Sequence, residues 1–200
     1  MKIIFYQVNK NYGNQEVIKN FNFTFINKNY VVLGNNGSGK STLLKLISNL
    51  ILPNSGNINY YDNNLKISNE QAIKNISFTA PYLELIEELD INSLLKFHYK
   101  FKNPIFKYET IIKMLGLSEY KNKKIFELSS GIKQRLKLLL ALNTQCNFTI
   151  LDEPTTNLDD NGKEMYYNLF KKFKNKKSII IATNDKKDVI ESDIEIIKVN

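Results

Sequence analysis

Gly34-Asn35-Asn36-Gly37-Ser38-Gly39-Lys40-Ser41 sets glycines, a lysine and a hydroxyl in the order GxxxxGK[ST]. These residue types suit the binding of phosphate. Glycines let successive backbone N–H groups wind inward toward phosphate oxygens, and a helix starting near Lys40 adds its positive end. Lys40 would reach the β- and γ-phosphates of a nucleotide, the Ser41 hydroxyl would ligate Mg²⁺, and Thr42 carries the binding segment into the helix. Such a site needs a second Mg²⁺-positioning group on a neighbouring strand. Phe148-Thr149-Ile150-Leu151-Asp152-Glu153 provides it, an apolar run ending in two carboxylates. Asp152 would hold Mg²⁺ through water, and Glu153 would orient and deprotonate an attacking water.

The elements that must position these groups are legible in outline. Tyr30–Leu33 reads as a short apolar strand leading into the glycine turn. From Lys40 the apolar residues Leu43, Leu44, Ile47 and Leu50 have helical spacing, ending before Pro53. Before this unit, Ile3 and Phe5, then Phe21, Phe23 and Phe25, alternate in strand fashion around a turn at Asn11–Asn14. After it come a strand near Asn75–Phe78, helical stretches at Leu94–Phe101, Thr110–Leu115 and Ile132–Leu142, and strands at Phe148–Leu151, Ser178–Ala182 and Ile194–Val199. A helical segment around Lys163–Phe173 separates two of those strands. The expected fold class is α/β: a phosphate-loop NTPase core with a mainly parallel sheet, an N-terminal antiparallel β subdomain and an inserted helical subdomain.

Composition bounds the function. The chain has 200 residues, 42% of them hydrophobic, which is enough for a substantial core in one domain. One cysteine, Cys146, and one histidine, His98, exclude an internal disulfide, a Cys-rich metal centre and a multi-histidine site. The opening apolar run is too short for a secretory signal, and no stretch approaches the ~18 apolar residues of a membrane span. The net charge of +8 comes from 28 Lys+Arg against 20 Asp+Glu, spread along the chain. Its diffuseness reads as coding bias rather than as a nucleic-acid footprint.

Leu128-Ser129-Ser130-Gly131-Ile132-Lys133-Gln134-Arg135 opens an apolar helix between the two site elements. Together with GNNGSGKS, LDEP and Thr155-Thr156-Asn157-Leu158-Asp159, it resembles the ATP-binding-cassette (ABC) ATPases over essentially the whole chain. The resemblance implies one cassette over residues 1–200, with its helical insertion at about 82–142, using ATP and Mg²⁺. It implies that Ser129, Ser130 and Gly131 form a signature loop contacting the γ-phosphate of ATP held by a second copy, so that a homodimer completes each site. It further implies that Tyr12 stacks on adenine and that Asp159 couples the two sites.

The chain departs from the family at three places. Pro81 stands where a Gln usually senses Mg²⁺ and the attacking water, and it has no side chain for that task. Asn184 stands where a His usually contacts the γ-phosphate; an amide can donate a hydrogen bond there but carries no charge. Ile132 replaces the Gln that often completes the signature. A working but slow ATPase is expected. Its partner would be a separate membrane permease gripping Tyr82–Leu89, unless that stretch is a buried loop and helix start; a permease places the chain in the cytoplasm on the inner face of the membrane. The alternative is a soluble ABC ATPase or slow nucleotide-dependent switch acting on a non-membrane partner. The chain's end soon after Val199 leaves no room for a regulatory domain. Lys96, Lys100, Lys102 and Lys107 alternate with Phe97, Tyr99, Phe101 and Phe106. The helical spacing of Leu94, Phe97 and Phe101 predicts buried aromatics, so nucleic acid is not the expected partner.

Overall fold

The structure, a computed structural model, describes residues 1–185 and 194–199. Two sheets organise it. The first is antiparallel, with strands β1 (Lys2–Tyr12), β2 (Gln15–Phe25), β4 (Ser55–Asp62) and β5 (Leu65–Ile67) in the order β2-β1-β4-β5. Ile3, Phe5 and Val8 of β1 are buried, and Phe25 of β2 joins them, as the two-residue alternation requires. The second sheet is parallel throughout, in the order β6-β7-β8-β3-β9. Its strands are β3 (Tyr30–Leu33), β6 (Ile76–Thr79), β7 (Phe148–Asp152), β8 (Ser178–Thr183) and β9 (Glu195–Lys198). β7 and β8 are buried at every position, which is why both read as continuous β-branched and apolar runs.

Helix α1 (Lys40–Ile47) follows β3 and packs Leu43, Leu44, Leu46 and Ile47 into the core shared by the two sheets. It stops earlier than its apolar spacing predicts. Ser48 Oγ donates back to Leu44 O at 2.9 Å and Asn49 takes a left-handed φ of 57°, so Leu50 lies beyond the helix and is exposed. Helix α2 (Asn69–Lys74) is closed by a Ser68–Gln71 capping box.

A second apolar cluster gathers α3 (Ile91–His98), α4 (Tyr108–Met114), α5 (Ser130–Asn143) and α6 (Asp160–Phe173) around Leu136, Leu139, Tyr166 and Phe170. Here one expectation fails. Leu94 is buried, but Phe97 and Phe101 are exposed, and they pair edge to face at 5.3 Å. The reason is local. α3 ends at His98, so Phe101 sits in the following turn and off the helical phase, while Ile91, Leu94 and Leu95 form the buried stripe. The neighbouring Lys102 ammonium is committed to the carbonyls of Ile73, Lys74 and Ile76. His98 is half-buried, its Nε2 3.0 Å from Thr144 Oγ1. No helix of the described residues is long and apolar enough to cross a membrane.

Candidate nucleotide-binding site

Parallel register brings the ends of three strands together. Leu33 pairs with Thr183, and Asp152 pairs with Ala182, so the turns after β3, β7 and β8 share one sheet edge. The turn after β3 is the glycine segment. Gly39 takes φ 98°, and a Cβ there would lie 2.8 Å from Val17 Cγ1. Only glycine fits both the angle and the approach of β2.

Lys40 is almost fully buried, and its Nζ donates to Gly34 O at 2.9 Å and Asn35 O at 3.1 Å. The lysine thus clasps its own turn and shapes it into a cradle. The same ammonium lies 3.7 Å from Glu153 Oε1. Glu153 itself has a left-handed φ of 46°, and its N–H donates to Ala182 O at 2.8 Å, which extends the sheet pairing one residue past the strand. A non-glycine residue in that region is strained, and the strain turns the carboxylate toward Lys40.

Asp152 sits behind this pair, 1% exposed, and neither carboxylate oxygen has a hydrogen-bond partner. Burial raises its pKa above the ordinary carboxylate range, while Ser41, Lys45, Lys40 and Tyr82 pull in the opposite direction. Ser41 and Tyr82 face the carboxylate without closing a direct hydrogen bond onto it. A buried carboxylate left unpaired beside a hydroxyl fits a divalent cation bound through oxygen and water. Two of the groups facing Asp152, Lys45 and Tyr82, are additions to the expected site. Lys45 follows Ser41 by four residues on α1, so it shares that face, a signal the i,i+4 spacing could have shown. Tyr82 comes from the segment after β6, where sequence reasoning saw only a docking surface. Its phenol is pushed up to about 12 by partial burial and by Asp152.

A cleft of about 460 Å³ is lined by Tyr12, Gln15, Asn36, Gly37, Lys40, Ser41, Thr42 and Glu153. Tyr12 is half-exposed there, beside the phosphate turn. A second opening, lined by Gly34, Asn35, Asn36, Gly37, Ser38 and Asn184, adjoins it. Asn184 Nδ2 donates to Asn36 Oδ1 at 3.1 Å, so the residue following β8 touches the turn directly. Ser38 Oγ is buried without a partner, a further polar atom facing a phosphate-sized cradle. Sequence-predicted residues 12, 34–42, 152, 153 and 184 therefore come together.

The signature residues do not join them within one chain. Ser129, Ser130 and Gly131 line neither cleft. Ser129 caps α5, its Oγ accepting from Ile132 N at 3.4 Å, and Ile132 packs on the helical core. Asp159 caps α6, accepting from Gly162 N at 2.8 Å and Arg135 Nη2 at 3.1 Å. These bonds, the backbone one first, hold its carboxyl below the usual range. Pro81 offers only its carbonyl, which accepts from Lys137 Nζ at 2.8 Å.

The family profile described as "ABC transporter" matches residues 18–156, which span the phosphate turn, the signature and the Asp152 strand. The chain belongs to this family. This ABC cassette is 32% identical to the uncharacterised ABC transporter ATP-binding protein YybJ of Bacillus subtilis, over 87% of its own length and 81% of that protein. It is 31% identical to the energy-coupling factor transporter ATP-binding protein EcfA1 of Fusobacterium nucleatum, covering 90% and 72% of the two chains. Among solved structures it resembles the ATP-binding cassette MJ0796, in a dimeric post-hydrolysis state bound to ADP and Pi. That match has a TM-score of 0.80 and 25% identity over 99% of this chain and 94% of the other. ABC cassettes bind ATP and in general hydrolyse it, and the parallel core with an antiparallel β layer is their architecture.

Proposed function

We propose that this cassette binds Mg²⁺–ATP on residues 34–42, hydrolyses it slowly as a head-to-tail homodimer, and drives a separate membrane permease from the inner face of the membrane. The observation that carries the reading is the convergence of Lys40, Glu153 and the unpartnered buried Asp152 at one sheet edge.

Roles follow from position. Backbone N–H groups of the turn, with Ser38 and Lys40, hold the phosphates. Ser41 and Asp152 would hold Mg²⁺, which neutralises phosphate charge when bound. Glu153 accepts a proton from water at its carboxylate, and Lys40, 3.7 Å from its Oε1, holds that carboxylate in place. Asn184 donates an amide hydrogen toward the γ-phosphate in place of a charged imidazole, and Pro81 contributes none, so turnover is slow. Tyr12 stacks on adenine.

The pair is proposed because one chain leaves its cleft without Ser129, Ser130 and Gly131. Those residues begin α5, whose N-terminal end suits an anion presented by another copy. Asp159 sits close by, tied to α5 through Arg135, where it would pass movement between the two sites. Within the single unit of residues 1–200, the insertion at about 82–142 offers the permease contact. Tyr82, Leu83, Ile86 and Phe126 are exposed there, and Phe126 N donates to Glu87 O, which joins the two edges of that surface.

Light scattering of Glu153→Gln with saturating Mg²⁺–ATP tests the pairing. A dimer that Gly131→Asp abolishes, with nucleotide affinity per chain retained, is the expected result. A monomer at saturation would overturn it. Recovery of the chain with a multi-span protein from detergent-solubilised membranes tests the permease; recovery in the soluble fraction alone would count against it.

A further inference from the structure

Among the groups that face Asp152, three come from the phosphate turn and α1, and one does not. Tyr82 arrives from the segment after β6. The register explains how. Thr79 pairs with Leu151, so the chain leaving β6 emerges beside Asp152. It then turns at once, with Leu83 N donating to Ala80 O at 3.2 Å. Pro81 is fixed inside that turn by the Lys137 ammonium of α5. The Tyr82 ring is in turn covered by Lys45 Nζ at 4.6 Å from its centroid. Two lysines from two different helices thus set the ring, and its hydroxyl faces the carboxylate.

We propose that Tyr82 is a positioning residue for the divalent cation, its neutral hydroxyl hydrogen-bonding water carried between that cation and Asp152 and thereby tying residues 82–89 to the occupied site. The inference rests on the assignment of Asp152 and Ser41 as the cation's holders. A phenol supplies one donor and one acceptor, the pair of functions a bridging water needs. The tie has somewhere to lead. Glu87 forms an ion pair with Lys133 of α5, and Ile125 N donates to Leu89 O at 2.9 Å. A change in the cation's surroundings therefore moves a segment already bonded to the signature helix and to the strip before it. Pro81, which has no side chain to offer the reaction, here aims the next side chain.

Mn²⁺ affinity, read by electron paramagnetic resonance of the free ion in the presence of a saturating non-hydrolysable ATP analogue, tests this without turnover. Tyr82→Phe keeps the ring under Lys45 and removes only the hydroxyl. Loss of an outer-shell partner is expected to weaken Mn²⁺ by roughly tenfold while metal-free nucleotide affinity stays within about twofold. Amide exchange adds a second readout: Mn²⁺–nucleotide should protect residues 82–89 in the wild type and fail to do so in Tyr82→Phe. Asp152→Asn separates the two layers. If Asp152→Asn loses Mn²⁺ and Tyr82→Phe binds it as the wild type does, the Tyr82 role is overturned and the cation site stands. If neither variant changes Mn²⁺ affinity, the cation assignment and the Tyr82 role fall together.

Discussion

Lys40 Nζ and Glu153 Oε1 stand 3.7 Å apart although β8 separates the strands that deliver them. The lysine is also spent on two carbonyls of its own turn, so one ammonium holds the cradle's shape and its charge. Lys40→Met should therefore cost more than a surface ion pair would. Charged hydrogen bonds of this kind are worth about 1.5–3 kcal/mol, so ATP affinity by equilibrium dialysis should fall by at least tenfold. Lys40→Arg should not restore it, because the guanidinium fork cannot fill the same buried point.

Asp152 predicts an unusual stability profile. Its folded-state pKa is raised by burial, so ionisation opposes folding. Without metal, the cost is fully present above the folded pKa and is relieved as pH falls through it. Asp152→Asn should thus raise the metal-free melting midpoint at pH values above that folded pKa. The difference from wild type should narrow on acidification, and Mg²⁺–ATP should stabilise only the wild type. Calorimetry across pH reads all three outcomes.

Gly39→Ala joins two faults, a positive φ and a Cβ 2.8 Å from Val17 Cγ1. A loss of about 1–3 kcal/mol in stability is expected from the strained angle alone, measured by urea unfolding, together with loss of ATP binding. Val17→Ala should rescue less than half of it, since Val17 O remains 3.1 Å away and the angle is unchanged.

Asn184→His should speed the reaction. The side chain already touches Asn36 of the turn, so an imidazole at this position can reach the phosphate and carry charge. Steady-state kinetics should show kcat rising severalfold with little change in KM.

How much of this was visible beforehand depends on whether the signal was local. The phosphate turn and the Asp152 strand are each one continuous run of sequence, and β7 and β8 are apolar or β-branched at most positions, so both site and sheet could be read. β4, β5 and α2 could not. β4 reads Ser-Gly-Asn-Ile-Asn-Tyr-Tyr-Asp, with Tyr60 its one fully buried residue, so its pairing with β1 supplies what its own pattern lacks. Phe101 misled because helical spacing says nothing of where the helix ends, and Phe97 because it lies inside α3 but off the buried stripe of Ile91, Leu94 and Leu95. Tyr82 reads from sequence as docking surface alone because its place beside Asp152 comes from the β6–β7 register and two lysines distant in sequence.

In the proposed function, Glu153 performs proton transfer at an ATP site completed by a second copy. Phosphate release from Mg²⁺–ATP, compared between wild type and Glu153→Gln at matched nucleotide occupancy, tests it most directly. Wild-type release should be slow and rise more than linearly with protein concentration, and the variant should fall by about 10²–10⁴-fold, the usual loss for a general base. Equal rates in the two proteins would contradict it.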